Sequence, residues 1–281
     1  MRTIKDAETM YSYSRAMKNR GKRIGFVPTM GSLHEGHLSL IEEAKKKSDI
    51  VVVSIFVNPT QFGPGEDFKG YPRNHKKDTA FLNNLEVDAL FLPGEKEMYG
   101  EGFLTSVEVE NLSKKLCGKT RPDHFKGVTT VVAKLFNIVD PDLAVFGEKD
   151  WQQLLIIKQM VKDLNFPVKI IGLPTVRAYD SVAMSSRNEY LTGQERERAT
   201  SLHKILLEAK ALIDGGEKNP HKILVRLRSM IGSVSLIRLE YLVLADPKTL
   251  DEIKAVKGDI LVAVAAKVGQ TRLIDNLLVK A

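Results

Sequence analysis

Short apolar runs recur along the first 176 residues of this chain, and segments with helical spacing separate them. The runs lie at Ile24–Pro28, Asp49–Val57, Asp88–Pro93, Leu143–Phe146 and Val168–Ile171, and the helical segments follow His37 and cover Lys76–Leu85, Gly127–Ile138 and Trp151–Leu164. A continuous apolar run is typical of a parallel strand that is buried on both faces. Parallel neighbours need a long crossover, which is usually a helix. The pattern therefore predicts an α/β fold, a Rossmann-like doubly wound parallel sheet, over residues 1–176.

The pattern changes after residue 176. Two helical segments, 194–214 and 219–232, precede strand-like segments at Leu236–Leu244, Ile260–Val268 and Thr271–Val279. Gly269-Gln270 joins the last two, as in a hairpin. A chain of 281 residues with 43% hydrophobic content is long enough for two domains. We therefore expect a smaller α+β domain over residues 177–281 that acts as a lid.

The segment from Met30 to His37 joins a predicted strand to a helical pattern. Ligands of doubly wound sheets gather beyond the carboxyl ends of the strands, and a helix N-terminus offers unpaired N–H groups and partial positive charge. Imidazoles at His34 and His37 add donors that can become cationic. A polar helix start or half of a zinc site is the alternative, but the two histidines lack the i, i+4 spacing of zinc helices and the only cysteine is Cys117. We expect a nucleotide phosphate here.

Amide side chains follow the next predicted strand, in the loop from Asn58 to Asp67. Asn58 and Gln61 offer donors and acceptors that suit hydroxyls and carboxylates at the edge of a sheet. The alternative is a structural turn in which Asn58 bonds to the nearby backbone. The loop therefore remains open to either interpretation on its own.

A further cluster follows the predicted strand that ends at Phe146. Gly147 would let the backbone approach a ligand, Lys149 is a point cation for phosphate, and Asp150 can accept from a ribose hydroxyl. Gln153 lies one helical turn beyond Lys149, so both can face one cleft. The alternative is an acidic helix start with a solvated lysine.

The run Met184-Ser185-Ser186-Arg187-Asn188 lies near the predicted domain junction. Two hydroxyls followed by a guanidinium suit a phosphate, and a position beside a hinge would let the run close over a nucleotide. A plain Ser-Ser-Arg turn is the alternative.

The formal net charge of +7 raises the question of a nucleic-acid partner. The basic residues form no stripe, and the longest run, Lys45-Lys46-Lys47, ends a predicted helix, where cations complement the dipole. We therefore expect no nucleic acid. The chain has no run of about 18 apolar residues and no signal-like segment, and a single cysteine fits a reducing compartment. We expect a cytoplasmic protein without membrane contact.

Four motifs in this order carry a family resemblance: Val27–His37, Val57–Phe62, Phe146–Asp150 and Met184–Asn188. The chain resembles the pantothenate synthetase family, the pantoate–β-alanine ligases of the HIGH-motif nucleotidyltransferase superfamily, over nearly its whole length. His34-Glu35-Gly36-His37 stands for the signature His-x-Gly-His, and Met184–Arg187 stands for the flexible Lys-Met-Ser-Lys-Ser type element. The resemblance implies that pantoate attacks the α-phosphorus of ATP, giving pantoyl adenylate and pyrophosphate. The amine of β-alanine then displaces AMP and forms pantothenate.

The resemblance also implies roles for particular residues. The ATP site would comprise Met30, Gly31, Ser32, Leu33, His34, Glu35, Gly36, His37, Gly147, Glu148, Lys149, Asp150, Val176, Met184, Ser185, Ser186 and Arg187. The catalytic set would be His37, at the position of the proton donor, with His34, Lys149, Ser185 and Arg187. Gln61 and Gln153 would hold pantoate, Gln61 would also lie near β-alanine, and we expect Asn58 beside them.

Magnesium would be held mainly by ATP oxygens and water. Relatives have carboxylates near the Asp78 position that are linked to magnesium, but Lys76 and Lys77 precede Asp78 here, and a carboxylate on a helix face is its default interpretation. We therefore expect no protein ligand to a metal. The resemblance further implies a homodimer. Two alternatives stay open: a nucleotidyltransferase that stops after transfer to a phosphate acceptor, which needs a second phosphate site, and a nucleic-acid-binding protein.

Overall fold

Six parallel strands form the sheet of the first of two structural units in the computed structural model, which describes residues 1–281. The first unit comprises Met1–Lys114, Gly118–Glu148 and Gln153–Pro174, and the second comprises Lys115–Cys117, Lys149–Gln152 and Thr175–Ala281. The second unit thus takes two short segments from earlier in the chain, which the predicted domains 1–176 and 177–281 did not separate.

The strand order in the first unit is β1-β4-β3-β2-β5-β6, and every pairing is parallel. The strands are β1 (Arg2–Ile4), β2 (Ile24–Thr29), β3 (Ile50–Ile55), β4 (Ala89–Phe91), β5 (Leu143–Gly147) and β6 (Lys169–Leu173). Because β2 pairs with β3 on one side and β5 on the other, the carboxyl ends of these three strands are neighbours at one edge of the sheet.

Seven helices alternate with these strands along the chain. Two of them, α5 and α7, begin in the short segments that belong to the second unit. They are α1 (Ala7–Asn19), α2 (Glu35–Lys47), α3 (His75–Asn84), α4 (Glu95–Met98), α5 (Cys117–Thr120), α6 (His124–Val139) and α7 (Trp151–Asp163). Side-chain caps start several of them: Asp6 accepts from the N–H of Thr9, and Asn74 accepts from the N–H of Lys77. Buried Val27, Ile41, Val53 and other apolar side chains of strands and helices form the core.

The second unit packs two helices with a three-stranded antiparallel sheet in the order β7-β8-β9. Its elements are α8 (Gly193–Asp214), α9 (Pro220–Gly232), β7 (Ile237–Ala245), β8 (Asp259–Val268) and β9 (Thr271–Lys280). A capping box between Thr192 and Glu195 starts α8, and Pro220 occupies the first position of α9, where its missing N–H costs nothing. The apolar stripe of α8 is buried with alternate residues of β8 in one core.

The predicted fold class is confirmed: a parallel α/β sheet accompanied by a smaller α+β part. Two predicted strands were each too long by three residues in all, since β3 covers Ile50–Ile55 and β4 covers Ala89–Phe91, whereas β2, β5, β6 and β9 end one or two residues later than predicted. No element was predicted in residues 1–20, which form β1 and α1; a strand of three residues is too short to show a pattern. No helix combines the length and apolar character that crossing a membrane requires.

Candidate active site

Two histidine rings cap the first turn of α2. His34 is the N-cap, and its Nδ1 accepts a hydrogen bond from the backbone N–H of Gly36 at 3.1 Å. The Nδ1 of His37 accepts from the backbone N–H of His34 at 3.3 Å, and the ring centroids lie 4.1 Å apart. A ring nitrogen that accepts carries no proton, so these two capping bonds assign the ring proton to Nε2. Each ring can then offer Nε2–H as a hydrogen-bond donor.

The backbone N–H groups before α2 are also used within the protein. The N–H of Gly31 donates to Thr29 Oγ1 at 3.2 Å, and the N–H groups of Ser32 and Leu33 donate to the carboxylate of Asp78 at 2.9 and 2.8 Å. These three N–H groups precede α2 and are paired within the protein, and the N–H of Gly36 in the first turn of the helix is paired as well. The imidazole Nε2–H groups are side-chain donors that this segment can direct at an anion.

Asp78 lies on α3 and is only 1% exposed. Each of its two carboxylate oxygens accepts one backbone N–H of the loop between β2 and α2. Gly31, with φ of +86°, is required there because a Cβ would lie 3.0 Å from Asp78 Oδ2. Asp78 is therefore a carboxylate on a helix face, as expected, but that face is covered by the loop. Because both oxygens already accept a backbone N–H, ligation of magnesium would compete with the loop for this carboxylate.

Asn58 and Gln61 follow β3 and are both buried. Asn58 Nδ2 donates to Gln61 Oε1 at 3.1 Å and to the carbonyl oxygen of Gly127 at 3.0 Å, and its Oδ1 accepts from the Tyr99 hydroxyl at 2.7 Å. Gln61 Nε2 contacts Met30 Sδ at 2.9 Å. Both amide hydrogens of Asn58 are thus used, so Asn58 positions Gln61 in this structure, and a direct bond to a substrate would cost one of its internal bonds.

A half-buried ion pair holds the backbone of Gln61. Arg121 makes two contacts of 2.6 Å with the Glu66 carboxylate, and its Nη2 donates to the carbonyl oxygen of Gln61 at 3.3 Å. His124 Nδ1 lies 2.9 Å from the same carbonyl oxygen. Partial burial would raise the pKa of Glu66, but hydrogen bonds and positive charge from Arg121 outweigh it and hold the pKa below 4.5. Neither Arg121 nor His124 was among the site residues predicted from the sequence.

Gly127 brings α6 against the turn Pro59–Gln61. A Cβ at this position would lie 2.4 Å from the carbonyl oxygen of Thr60, which no backbone arrangement of this kind tolerates. The close approach lets the carbonyl oxygen of Gly127 accept from Asn58. The predicted helix began at Gly127, whereas α6 begins at His124, so this glycine lies within the first turns of the helix and permits the close packing there.

The third strand end in the first unit carries Gly147 and Glu148. Nothing lies within 4 Å of where a Cβ on Gly147 would be, so the backbone there borders open space. Gln153, in the first turns of α7, is half-buried, whereas its neighbour Gln152 is buried. Because β3, β2 and β5 are adjacent, the fold brings together the segments that follow them: Asn58–Gln61, Met30–His37 and Gly147–Glu148.

Lys149 and Asp150 belong to the second unit. Lys149 Nζ lies 3.6 Å from Asp150 Oδ1, and the Lys149 side chain is 18% exposed. The alternative of a fully solvated lysine therefore does not describe this residue. Asp150 is less covered, with 45% of its side chain exposed.

The run Met184–Arg187 follows a short hairpin in the second unit. The N–H of Met184 donates to the carbonyl oxygen of Val176 at 2.9 Å, closing the hairpin. Ser185 Oγ accepts from the N–H of Arg187 and caps the short 3-10 turn Ser186–Tyr190. Ser186 is buried and Ser185 is half-buried. The two serines therefore differ in exposure, whereas two equivalent phosphate-binding hydroxyls would be equally exposed.

Comparisons with known proteins agree over the whole length of the chain. The family model described as pantoate-beta-alanine ligase matches residues 2–278. Proteins named pantothenate synthetase from a Sulfurihydrogenibium species and from Thermodesulfovibrio yellowstonii are each 52% identical, covering 99% and 100% of both chains.

Solved structures give the same result. The pantothenate synthetase of Thermus thermophilus matches with a TM-score of 0.94 and 44% identity over 99% of both chains. The pantoate-beta-alanine ligase of Francisella tularensis, solved as a complex with beta-gamma ATP and beta-alanine, matches with a TM-score of 0.82 and 37% identity over 99% of this chain and 97% of that one. With the motifs after β2, β3 and β5 in place, this chain belongs to the pantoate–β-alanine ligase family.

Proposed function

We propose that this chain condenses (R)-pantoate with β-alanine to form pantothenate, using ATP and passing through pantoyl adenylate. The carboxylate of pantoate attacks the α-phosphorus of ATP and pyrophosphate leaves; the amine of β-alanine then attacks the acyl carbon and AMP leaves. Family membership over the full length supports the overall reaction. The Francisella relative, whose structure holds an ATP compound and β-alanine, supports the two substrates.

The observation that carries the proposal is the histidine pair at the start of α2. Both Nδ1 atoms accept backbone N–H groups, which orients the rings and leaves Nε2–H as the donor. Adenylyl transfer moves charge onto phosphate oxygens, so it needs fixed donors and cations more than a protein nucleophile. His34 and His37 would donate to phosphate oxygens. His37 stabilises the transition state by hydrogen bonding, and a neutral ring with Nε2–H can also serve as the proton donor.

The departing pyrophosphate needs positive charge. Lys149, Ser185, Ser186 and Arg187 would supply it together with hydroxyl donors, and the Val176 backbone, Gly147, Glu148 and Asp150 would contact the rest of the nucleotide. Magnesium would arrive with ATP, bound by phosphate oxygens and water. The proposal uses no metal ligand from the protein, and Asp78 is assigned to the backbone of the loop before α2.

Pantoate would be held by Gln61 and Gln153, and β-alanine would bind near Gln61. The Gln61 amide is buried and oriented from behind by Asn58, so its approach to a hydroxy acid is set before binding. This arrangement suits a neutral hydroxyl next to a carboxylate better than a phosphate acceptor. The homodimer implied by the resemblance stays part of the proposal, and sedimentation equilibrium at micromolar concentration measures it.

Pyrophosphate exchange tests the proposed reaction directly. Labelled pyrophosphate should enter ATP when pantoate is present and β-alanine is absent, because the first half-reaction is complete without the amine. Exchange that does not require pantoate, or that requires β-alanine, would contradict the adenylate pathway. Pantothenate formation upon adding β-alanine provides the control for intact enzyme.

A further inference from the structure

Two adjacent polar residues, Asp275 and Asn276, interrupt the apolar strand β9. Both are buried, with 4% and 8% of their surfaces exposed. Burying a carboxylate and an amide is costly unless each is hydrogen-bonded. The partners of these two residues therefore indicate what the strand is built to hold.

Asp275 fixes the base of the hairpin that leads to Ser185. Its carboxylate oxygens lie 2.6 and 2.9 Å from Arg177 Nη1 and Nη2, a bidentate pair. Arg177 Nη1 also donates to the carbonyl oxygen of Ser181 at 3.2 Å, and the Arg177 backbone bridges to Ala183 across the hairpin. One carboxylate thus holds the first strand, the turn and the return strand of the hairpin through a single guanidinium.

Asn276 holds the backbone of Lys149. Its Nδ2 donates to the carbonyl oxygen of Lys149 at 2.8 Å, and its own N–H donates to Asp275 Oδ1 at 2.8 Å. Successive side chains of a strand point to opposite faces of the sheet, so the two residues reach their partners on different sides of β9. The strand also packs against the 3-10 turn Ser186–Tyr190.

We infer that Asp275 and Asn276 are positioning residues that tie Lys149 and the run Met184–Arg187 to one strand. The inference rests on the proposed function, in which Lys149 and Arg187 meet the phosphates of ATP. A sheet backbone is stiff, so attachment of both segments to neighbouring residues of β9 sets the spacing of the two cations before ATP binds. Neither Asp275 nor Asn276 needs to touch the nucleotide for this role.

The test compares Asn276→Ala with Val279→Ala. Asn276→Ala removes the side-chain bond to Lys149, whereas Val279 is a buried apolar core residue of the same strand. For both variants we would measure the melting temperature, the Kd for ATP by calorimetry and pantoate-dependent pyrophosphate exchange. Asp275→Asn provides a second probe, and Asn276→Ala remains informative if the Asp275 variant does not fold.

We expect Asn276→Ala to raise the Kd for ATP and to slow exchange by about tenfold or more, because small misplacements of binding groups are costly. Val279→Ala should change the Kd for ATP and the exchange rate less than twofold. It should lower the melting temperature at least as much as Asn276→Ala does. Equal effects of the two variants on ATP binding and exchange would overturn the inference and leave a structural role. If the wild type binds ATP without pantoate-dependent exchange, the proposed function fails and the ATP affinities still decide the inference. Wild-type protein that does not bind ATP would overturn both.

Discussion

The segments Met30–His37 and Met184–Arg187 are both expected at the phosphates of ATP, yet they offer different groups. The first is held by the buried carboxylate of Asp78 and presents two imidazoles whose Nδ1 atoms accept backbone N–H groups. The second includes the cation of Arg187 and, like Lys149, is fixed to β9 through Asp275 and Asn276. The difference predicts a division of work: the first segment supplies directed hydrogen-bond donors, and the second supplies cations. Variants of His37 and Asp78 test the contribution of the first segment.

The largest effect should come from removing the donor of His37 while keeping its cap. In His37→Asn, the side-chain oxygen can replace Nδ1 as acceptor for the His34 N–H, but nothing replaces Nε2–H. We expect kcat/KM to fall by roughly 10²- to 10³-fold, as for loss of one oriented donor to a transition state. Steady-state kinetics measures the loss of the donor, and urea unfolding of the same preparation measures whether the cap is kept.

His37→Gln is the matched variant, since its amide N–H can reach the position of Nε2, and glutamine at this helix position can also accept from the His34 N–H as in a capping box. It should keep more activity than His37→Asn without a larger loss of stability. Lower activity in His37→Gln than in His37→Asn would show that the ring acts through its cap and would remove His37 from the donor set.

Asp78→Asn should have the next largest effect. The amide nitrogen of the new side chain would face a backbone N–H of Ser32 or Leu33, leaving one buried donor unpaired at a cost of about 1–3 kcal/mol. The free energy of unfolding should fall by that amount, and the affinity for ATP should fall as the loop loosens. Denaturant titration and calorimetry provide the two measurements.

Asp88→Asn is the control, because Asp88 Oδ2 also accepts one backbone N–H, that of Val51, but near the amino-terminal end of β3 and so at the opposite end of the strands from the motif segments. It should lower stability without lowering ATP affinity. If both aspartate variants weaken ATP binding equally, the link between Asp78 and the nucleotide loop is incorrect.

Glu66→Gln should have the smallest effect, about 1 kcal/mol or less at neutral pH, because the pair with Arg121 is partly exposed. Since the pKa of Glu66 is lowered in the folded protein, its contribution to stability is present above 4.5, the unfolded value, and is lost as the pH falls through the folded value. The difference in the free energy of unfolding between wild type and Glu66→Gln should therefore vanish in acid, as denaturant titration at several pH values would measure. A difference that persists below the folded pKa would show that Glu66 acts by shape and not by charge.

Much of the fold followed from local pattern. Unbroken apolar runs such as that around Val52 occur only where both faces of a strand are covered, and this predicted the parallel sheet. The hairpin at Gly269-Gln270 also appeared as predicted, between β8 and β9. Residues 1–20 escaped prediction because β1 has three residues and is stabilised by pairing with β4, which lies far along the chain.

The sequence predicted where the motif residues lie relative to the strands, but not which residues hold them in place. The motif residues follow β2, β3 and β5 as expected, whereas their supports come from distant sequence: Asp78 reaches Ser32 across 46 positions, and Arg121 reaches Glu66 across 55. A usable signal existed in β9, where Asp275 and Asn276 break an apolar strand, since a native strand buries two such polar groups only with partners. Pattern alone does not identify those partners.

The sequence by itself determined the fold class, the order of the segments at the strand ends and, through its motifs, the family. The tertiary structure decided how each chemical group is presented. It oriented the two histidine rings through their Nδ1 atoms, used Asp78 to hold the backbone before α2 and attached Lys149 and the hairpin before Ser185 to one strand. The physical reason is that hydrophobic periodicity is a local property of the chain. Hydrogen-bond satisfaction of a buried group depends on which distant residues the fold brings within about 3 Å.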